Sequence, residues 1–263
     1  MDMLLENKHA VIYGAGGAIG TAVAHAFARE GARVFLAGRT LAPLEALAQE
    51  ITQAGGVAEA ALVDALDEEA VERHLTAVVQ STGRLDISFN AISIPYQQGD
   101  PLTEMSVAEF TQPIADAMKT QFLTTRAAAR QMRSQGAGVI LALTATPGHL
   151  AVANSGNFGV ACAAIEGLCR QLAADHGPFG VRVVCLRSAG SPDGAVVSEV
   201  MRELGELEGI TREAFVARLA ARTMLKRLPR LAEVADAATL LASDRAGVMT
   251  GMVANVTCGE IAD

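Results

Sequence analysis

The 263-residue chain is long enough for one large domain with a substantial core, and 51% of its residues are apolar. A net charge of −8 without a basic cluster argues against nucleic-acid phosphates as a partner. The sequence shows neither a long unbroken apolar stretch nor a basic-then-apolar leader, so no membrane span or secretory signal is expected and cytoplasmic residence is. The four cysteines, Cys162, Cys169, Cys185 and Cys258, form no C-x-x-C pair and read as reduced structural thiols, so no metal site is expected.

In chain order, His9 to Tyr13 is a short apolar run suited to a central parallel strand, and Ile19 to Glu30 carries helix-period apolar positions at Ile19, Val23 and Phe27. Between them lies a turn with Gly14, Gly16, Gly17 and Gly20. Glycines there let the backbone approach a pyrophosphate, while free N–H groups at the helix start face the anion. Ala32 to Ala37 is a second buried strand, followed by Arg39. No Asp or Glu lies between Val34 and Thr40 to bind a ribose 2′-hydroxyl, and an arginine offers donors to a 2′-phosphate, so NADP is expected ahead of NAD.

A helix over Leu41 to Gln53, a third strand over Val57 to Val63 closed by Asp64, and a helix from Asp67 to about Thr82 follow. Leu85 to Ala91 is a fourth strand, ending in Asn90, Ala91, Ile92 and Ser93. Short βα units of this kind predict a parallel, doubly wound sheet with a ligand crevice at the carboxyl ends of its strands. Ser106 to Glu109 spells a capping box opening a long helical region to Met132, interrupted or bent near Pro113.

Gly136 to Thr144 is the fifth strand, and a helix runs from about Ser155 to His176. Its small residues Ala161, Ala163, Ala164 and Gly167 allow close packing within the core or against another subunit, so a homo-oligomer, dimer or tetramer, is expected. Val181 to Leu186 is the sixth strand. Residues 187–230 are loop and helix with apolar positions such as Val196, Val197, Met201, Leu204 and Phe215, an insert suited to covering a substrate. A helix over Leu231 to Ser243 and a seventh strand over Val253 to Cys258 complete a single Rossmann-type α/β domain, a seven-stranded parallel sheet with helices on both faces.

The glycine turn, Asn90, and the carboxyl-terminal pattern LASDRAGVMTG ending in VANVTCGE together resemble the short-chain dehydrogenase/reductase family over essentially the whole chain. The family's turn reads T-G-x-x-x-G-x-G; Tyr13 stands here for Thr and Ala18 for the middle Gly. The resemblance implies a nicotinamide dinucleotide held by Gly14, Gly16, Gly17, Ile19 and Gly20. It further implies Asp64 at the adenine, Asn90, Ala91 and Ile92 passing the adenosine ribose, and Arg39 at the basic position of NADP-dependent members.

The family's catalytic Asn, Ser, Tyr and Lys match Ala117, Ala145, Phe158 and Cys162, so the resemblance implies a divergent member without the usual acid. Hydride delivered to a ketone leaves an alkoxide, and losing the positioned acid costs on the order of 10²–10⁴ in rate. His149, four residues past Ala145, is the first substitute, and Thr144 and Thr146 are hydrogen-bond donors to a carbonyl; capping and backbone roles are the plainer alternative for each. Tyr96, in a loop with Pro95, Gln97 and Gln98, can be drawn toward the substrate or out to the surface, and the surface is expected. Cys162 as a nucleophile needs an electropositive setting that only Arg170 offers, and Arg187 and Ser188 replace the usual Pro-Gly after strand six, where Arg187 suits an acidic substrate. Two functions are expected: an NADP(H)-dependent oxidoreductase acting on a small apolar carbonyl or enone with an unconventional proton source, or a noncatalytic cofactor-binding protein, a redox sensor or inactive partner subunit.

Overall fold

The computed structural model describes residues 3–93 and 96–262; Pro95 and the Val196 side chain lie outside the described residues. Seven strands, β1 (His9–Tyr13), β2 (Arg33–Gly38), β3 (Val57–Leu62), β4 (Ile87–Asn90), β5 (Gly138–Ala145), β6 (Val181–Ser188) and β7 (Met252–Val256), pair in parallel in the order β3-β2-β1-β4-β5-β6-β7. The chain winds outward from β1 in one direction to β3 and, after β4, in the other to β7. The order therefore reverses between β1 and β4, where Tyr13 is registered with Asn90 and where such sheets open a crevice.

Both faces are covered, as continuous apolar strands require. Alternate residues of one strand go to opposite sides. Ile12 joins Val23 and Phe27 of α1 (Ala18–Arg29), Leu44 of α2 (Leu41–Gln53) and Ala238 of α8 (Leu231–Ala242). Val11 and Tyr13 join Leu75 of α3 (Glu68–Thr82), Met132 of α4 (Val107–Gln135) and Ile165 of α5 (Gly156–His176). Caps place the helix ends: the Asp67 carboxylate accepts from the N–H groups of Glu69 and Ala70, and Ser106 and Glu109 form the expected capping box.

The expected interruption of the long helix at Pro113 is absent: α4 runs unbroken through it. Proline has no N–H for the carbonyl four residues back, which leaves the Glu109 carbonyl free. The Asn157 side-chain amide donates to that oxygen at 2.7 Å, so the missing bond is replaced from α5 and the helix continues. Residues 187–230 carry two helices, α6 (Ala195–Leu207) and α7 (Arg212–Arg222), with a small apolar cluster of their own around Met201, Phe215 and Leu228.

Tyr13 and His74 meet edge to face at 6.2 Å between ring centroids, and among the described residues neither the Tyr13 hydroxyl nor His74 Nδ1 has a hydrogen-bond partner. Burial lowers the His74 pKa to about 4, so the folded protein keeps this ring neutral while the unfolded chain protonates it near the ordinary value of about 6.5. The stability contributed by neutral His74 is present above pH 6.5 and is lost as pH falls toward 4, by up to about 3 kcal/mol. Urea unfolding at a series of pH values is expected to show His74→Gln gaining on wild type across that window; parallel curves would refute it.

Candidate functional site

The first wall of the crevice is the β1-to-α1 turn. Gly14 has φ +76°, and a Cβ there would lie 2.9 Å from the backbone of Ala91 and Ile92 at the exit of β4; a Cβ on Gly20 would collide with the Gly14 carbonyl oxygen. The two strand exits and the start of α1 thus meet backbone to backbone. No side chain caps α1 and no acidic residue lies in its first turn, which leaves an uncompensated positive helix end facing the crevice. Gly16 and Gly17 complete this turn, and Ile19 stands in the first turn of α1.

At the outer end, Arg39 follows β2 and is exposed; among the described residues its guanidinium has no carboxylate partner, unlike most arginines of the chain. Asp64 is exposed at the exit of β3, where its carboxylate accepts from the Leu66 N–H. Asn90 is buried and acts as a bolt: its amide donates to Thr124 Oγ1 at 2.9 Å and to the Thr120 carbonyl at 3.3 Å, and its oxygen accepts from the Ile92 N–H at 3.0 Å. What Asn90 offers the crevice is therefore the path of the Ala91–Ile92 backbone.

The inner wall is the exit of β5 and β6 with the first turns of α5. Ala117 and Cys162 are buried and Ala145 and Phe158 half-buried. Cys162 takes a main-chain hydrogen bond from Ala145, and burial pushes its thiol up to about 12, against the thiolate form that a nucleophile needs. Thr144 points beneath this wall, its hydroxyl donating to Glu166 Oε1 at 3.2 Å and lying 3.3 Å from Cys185 Sγ. Thr146 is buried; His149 is exposed on the short turn after β5. Ser188, the last residue of β6, and Ser191 just beyond it are buried, and among the described residues neither hydroxyl has a hydrogen-bond partner.

Arg187 does not face outward for an acidic substrate, as the sequence suggests. It is 3% exposed, and its Nε and Nη2 each donate at 2.9 Å to the two oxygens of Glu166 on α5, itself 4% exposed. A bidentate pair of this kind neutralises both charges where no water reaches them. Glu166 is an acidic residue on the otherwise uncharged buried face of α5, the one sequence signal that points to a partner within the core.

Tyr96 departs most from expectation. The ring is half-buried rather than at the surface, packed on Phe158 with centroids 4.7 Å apart and planes inclined by 45°. Its segment is pinned to α5: the Gln97 N–H donates to Asn157 Oδ1 at 3.2 Å, and the Gly99 N–H donates to the Asn154 carbonyl at 2.9 Å.

Comparison with known proteins follows this geometry. The family pattern described as enoyl-(acyl carrier protein) reductase matches residues 14–260. An uncharacterized oxidoreductase of Thermotoga maritima is 30% identical over 99% of this chain and 100% of its own length. An L-rhamnose 1-dehydrogenase (NAD(P)(+)) of Azotobacter vinelandii is 31% identical over 95% of this chain and 94% of its own. Among solved structures, one from Beutenbergia cavernae carrying NADP at low occupancy superposes with a TM-score of 0.86 at 27% identity, covering 100% of both chains.

Removing the Arg187 charge alone is expected to strand the Glu166 carboxylate. Arg187→Met should destabilise by about 3–5 kcal/mol, and the double variant Glu166→Leu with Arg187→Met should recover most of that in thermal or urea unfolding. Equal losses in the single and double variants would refute the pairing.

Proposed function

Because the chain belongs to the short-chain dehydrogenase/reductase family, we propose that it is an NADP(H)-dependent oxidoreductase acting on a small apolar carbonyl or activated alkene, with a proton source other than residue 158. The observation that carries this reading is the backbone contact of Gly14 with Ala91 and Ile92 beside the uncapped start of α1. Such a cradle accepts a pyrophosphate on main-chain N–H groups, and any side chain at Gly14 or Gly20 would fill it.

The rest of the crevice fits the same guest. The unpaired Arg39 suits a 2′-phosphate, Asp64 stands at the adenine end, and the orphaned hydroxyls of Ser188 and Ser191 are donors for a carboxamide at the inner end. A bound nicotinamide supplies or accepts hydride. The chain's part is to hold the carbonyl beside it, exclude water and deliver a proton to the carbonyl oxygen. The loop after β6 supports closure: the Asp193 carboxylate accepts from the Leu231 N–H, and Gly194 lies against Ala18 at the head of α1. The α6–α7 hairpin that follows is the natural cover over a substrate.

In this reading Ala117, Ala145, Phe158 and Cys162 replace the family's catalytic Asn, Ser, Tyr and Lys, and His149 is an exposed acid at the edge of the crevice. The small-residue face of α5 is the surface through which a homo-oligomer would form.

NADPH is expected to bind with its nicotinamide fluorescence enhanced and to be consumed by at least one member of a panel of small ketones and enones. Arg39→Asp is expected to weaken NADPH on the order of 10–100-fold, the value of one or two charge-assisted hydrogen bonds, while leaving NADH affinity at or above wild type. Tight NADPH binding without turnover of any panel member would turn the assignment to a noncatalytic cofactor-binding protein; an unchanged NADPH-to-NADH ratio in Arg39→Asp would remove the cofactor preference.

A further inference from the structure

We infer that Tyr96, whose ring packs on Phe158 near the head of α5, carries the hydroxyl that protonates the substrate oxygen, so that the acid missing from α5 is supplied by a neighbouring loop. This rests on the oxidoreductase reading above and names the proton source for it.

Position comes first. Tyr96 follows β4 by six residues, on the strand flanking the topological switch, and its ring lies against the Phe158 ring at 4.7 Å. A phenol is thus brought beside the ring that stands where a proton donor is expected. Thr144 has its hydroxyl committed to Glu166, Cys162 is buried with a raised pKa, and His149 is exposed to water. Among these side chains, Tyr96 is the one held by aromatic packing with a donor still to give.

The loop is held by three separate devices. Asn157, fully buried, accepts from the Gln97 N–H and donates to the Glu109 carbonyl that Pro113 leaves free. Gly156 has φ +55°, and a Cβ there would collide with the Gln97 carbonyl oxygen. A bond from Gly99 to Asn154 closes the far side. A proline within α4, an amide at the head of α5 and a glycine beside it all converge on the backbone next to Tyr96. Ordering a surface loop that thoroughly costs conformational entropy, and placing one ring at the crevice is what the ordering accomplishes.

The chemistry balances. Hydride from the reduced dinucleotide forms the new C–H bond at the carbonyl carbon, the π pair moves to oxygen, and that oxygen takes the Tyr96 proton as the phenol O–H breaks. The products are the alcohol, oxidised dinucleotide and a phenolate that water reprotonates. Burial, with a smaller contribution from Cys162, raises the Tyr96 pKa above the ordinary phenol value, so the proton is in place at every working pH. An alkoxide remains a stronger base than this phenolate, so transfer still runs downhill, with a smaller driving force than an unshifted phenol would have.

The test uses the full chain, with NADPH as cofactor and cyclohexanone, 2-cyclohexenone and diacetyl as probes. Tyr96→Phe is expected to bind NADPH as wild type does and to lose on the order of 10²–10⁴ in kcat. Adding Phe158→Tyr to Tyr96→Phe should restore part of it by returning a hydroxyl to the same space. The chain contains two tyrosines and no tryptophan, so ring-labelled tyrosine (13C at Cζ) gives two resonances. The one missing in Tyr96→Phe should shift when NADP+ and cyclohexanone are added together, while buried Tyr13 stays in place. Turnover within twofold of wild type in Tyr96→Phe, loss of turnover in His149→Ala instead, or an unmoved Tyr96 resonance would overturn this inference alone. Failure of wild type to bind NADPH, or to consume it with any probe, would overturn the oxidoreductase reading and this inference with it.

Discussion

The structure turns on a contact between main chains. Gly14 at the exit of β1 approaches Ala91 and Ile92 at the exit of β4 so closely that no Cβ fits between them, and Gly20 sets the head of α1 against Gly14 in the same way. Three elements that separate immediately below this point are thereby brought within one pyrophosphate's reach. Because the approach is between backbones, it leaves N–H groups rather than side chains facing the crevice, and it fixes where β4 must release its chain.

Polarity within the inner wall is redistributed rather than removed. The surface presented by Ala145, Phe158 and Cys162 offers no charge, yet directly beneath it Arg187 and Glu166 form a buried, doubly hydrogen-bonded pair with Thr144 attached. A buried pair contributes little net stability against its desolvation cost, but each partner is strongly needed by the other. Its effect is to join β5, β6 and α5 rigidly at the depth where a reacting group would be held. The charge of Arg187 is here turned inward against Glu166, beneath the uncharged surface of Ala145, Phe158 and Cys162.

The fold was legible because its signals are local and periodic. The run His9–Tyr13, the helix over Leu41–Gln53 and the cap at Asp67 lie where the pattern of apolar positions and capping residues puts them, within a residue or two. Pro113 shows where locality fails: the sequence gives a reason to break α4, and the compensating amide of Asn157 is 48 positions away in the chain. Arg187 fails for the same reason, since a lone arginine at a strand exit suggests a ligand until its partner on another helix is known. The backbone geometry of the glycine turn and the exposure of Arg39 are local properties, which is why the sequence alone could suggest a role for them. The inner end depends on which side chains meet across elements, which no spacing within one element reveals.

That difference bears on how an acid can move within a conserved architecture. Proton transfer requires a donor within hydrogen-bond reach of a developing alkoxide, and it is indifferent to which element carries the donor. What must be conserved is a point in space, fixed here by the β1–β4 contact on one side and the β5–α5 wall on the other. A loop can supply that point only if it is held as firmly as a helix, since an ångström of looseness costs orders of magnitude in rate. Asn157 and Gly156 give the Tyr96 segment that rigidity by using α5 as its support. The first turn of α5 thus acts as the platform on which the Tyr96 ring is mounted.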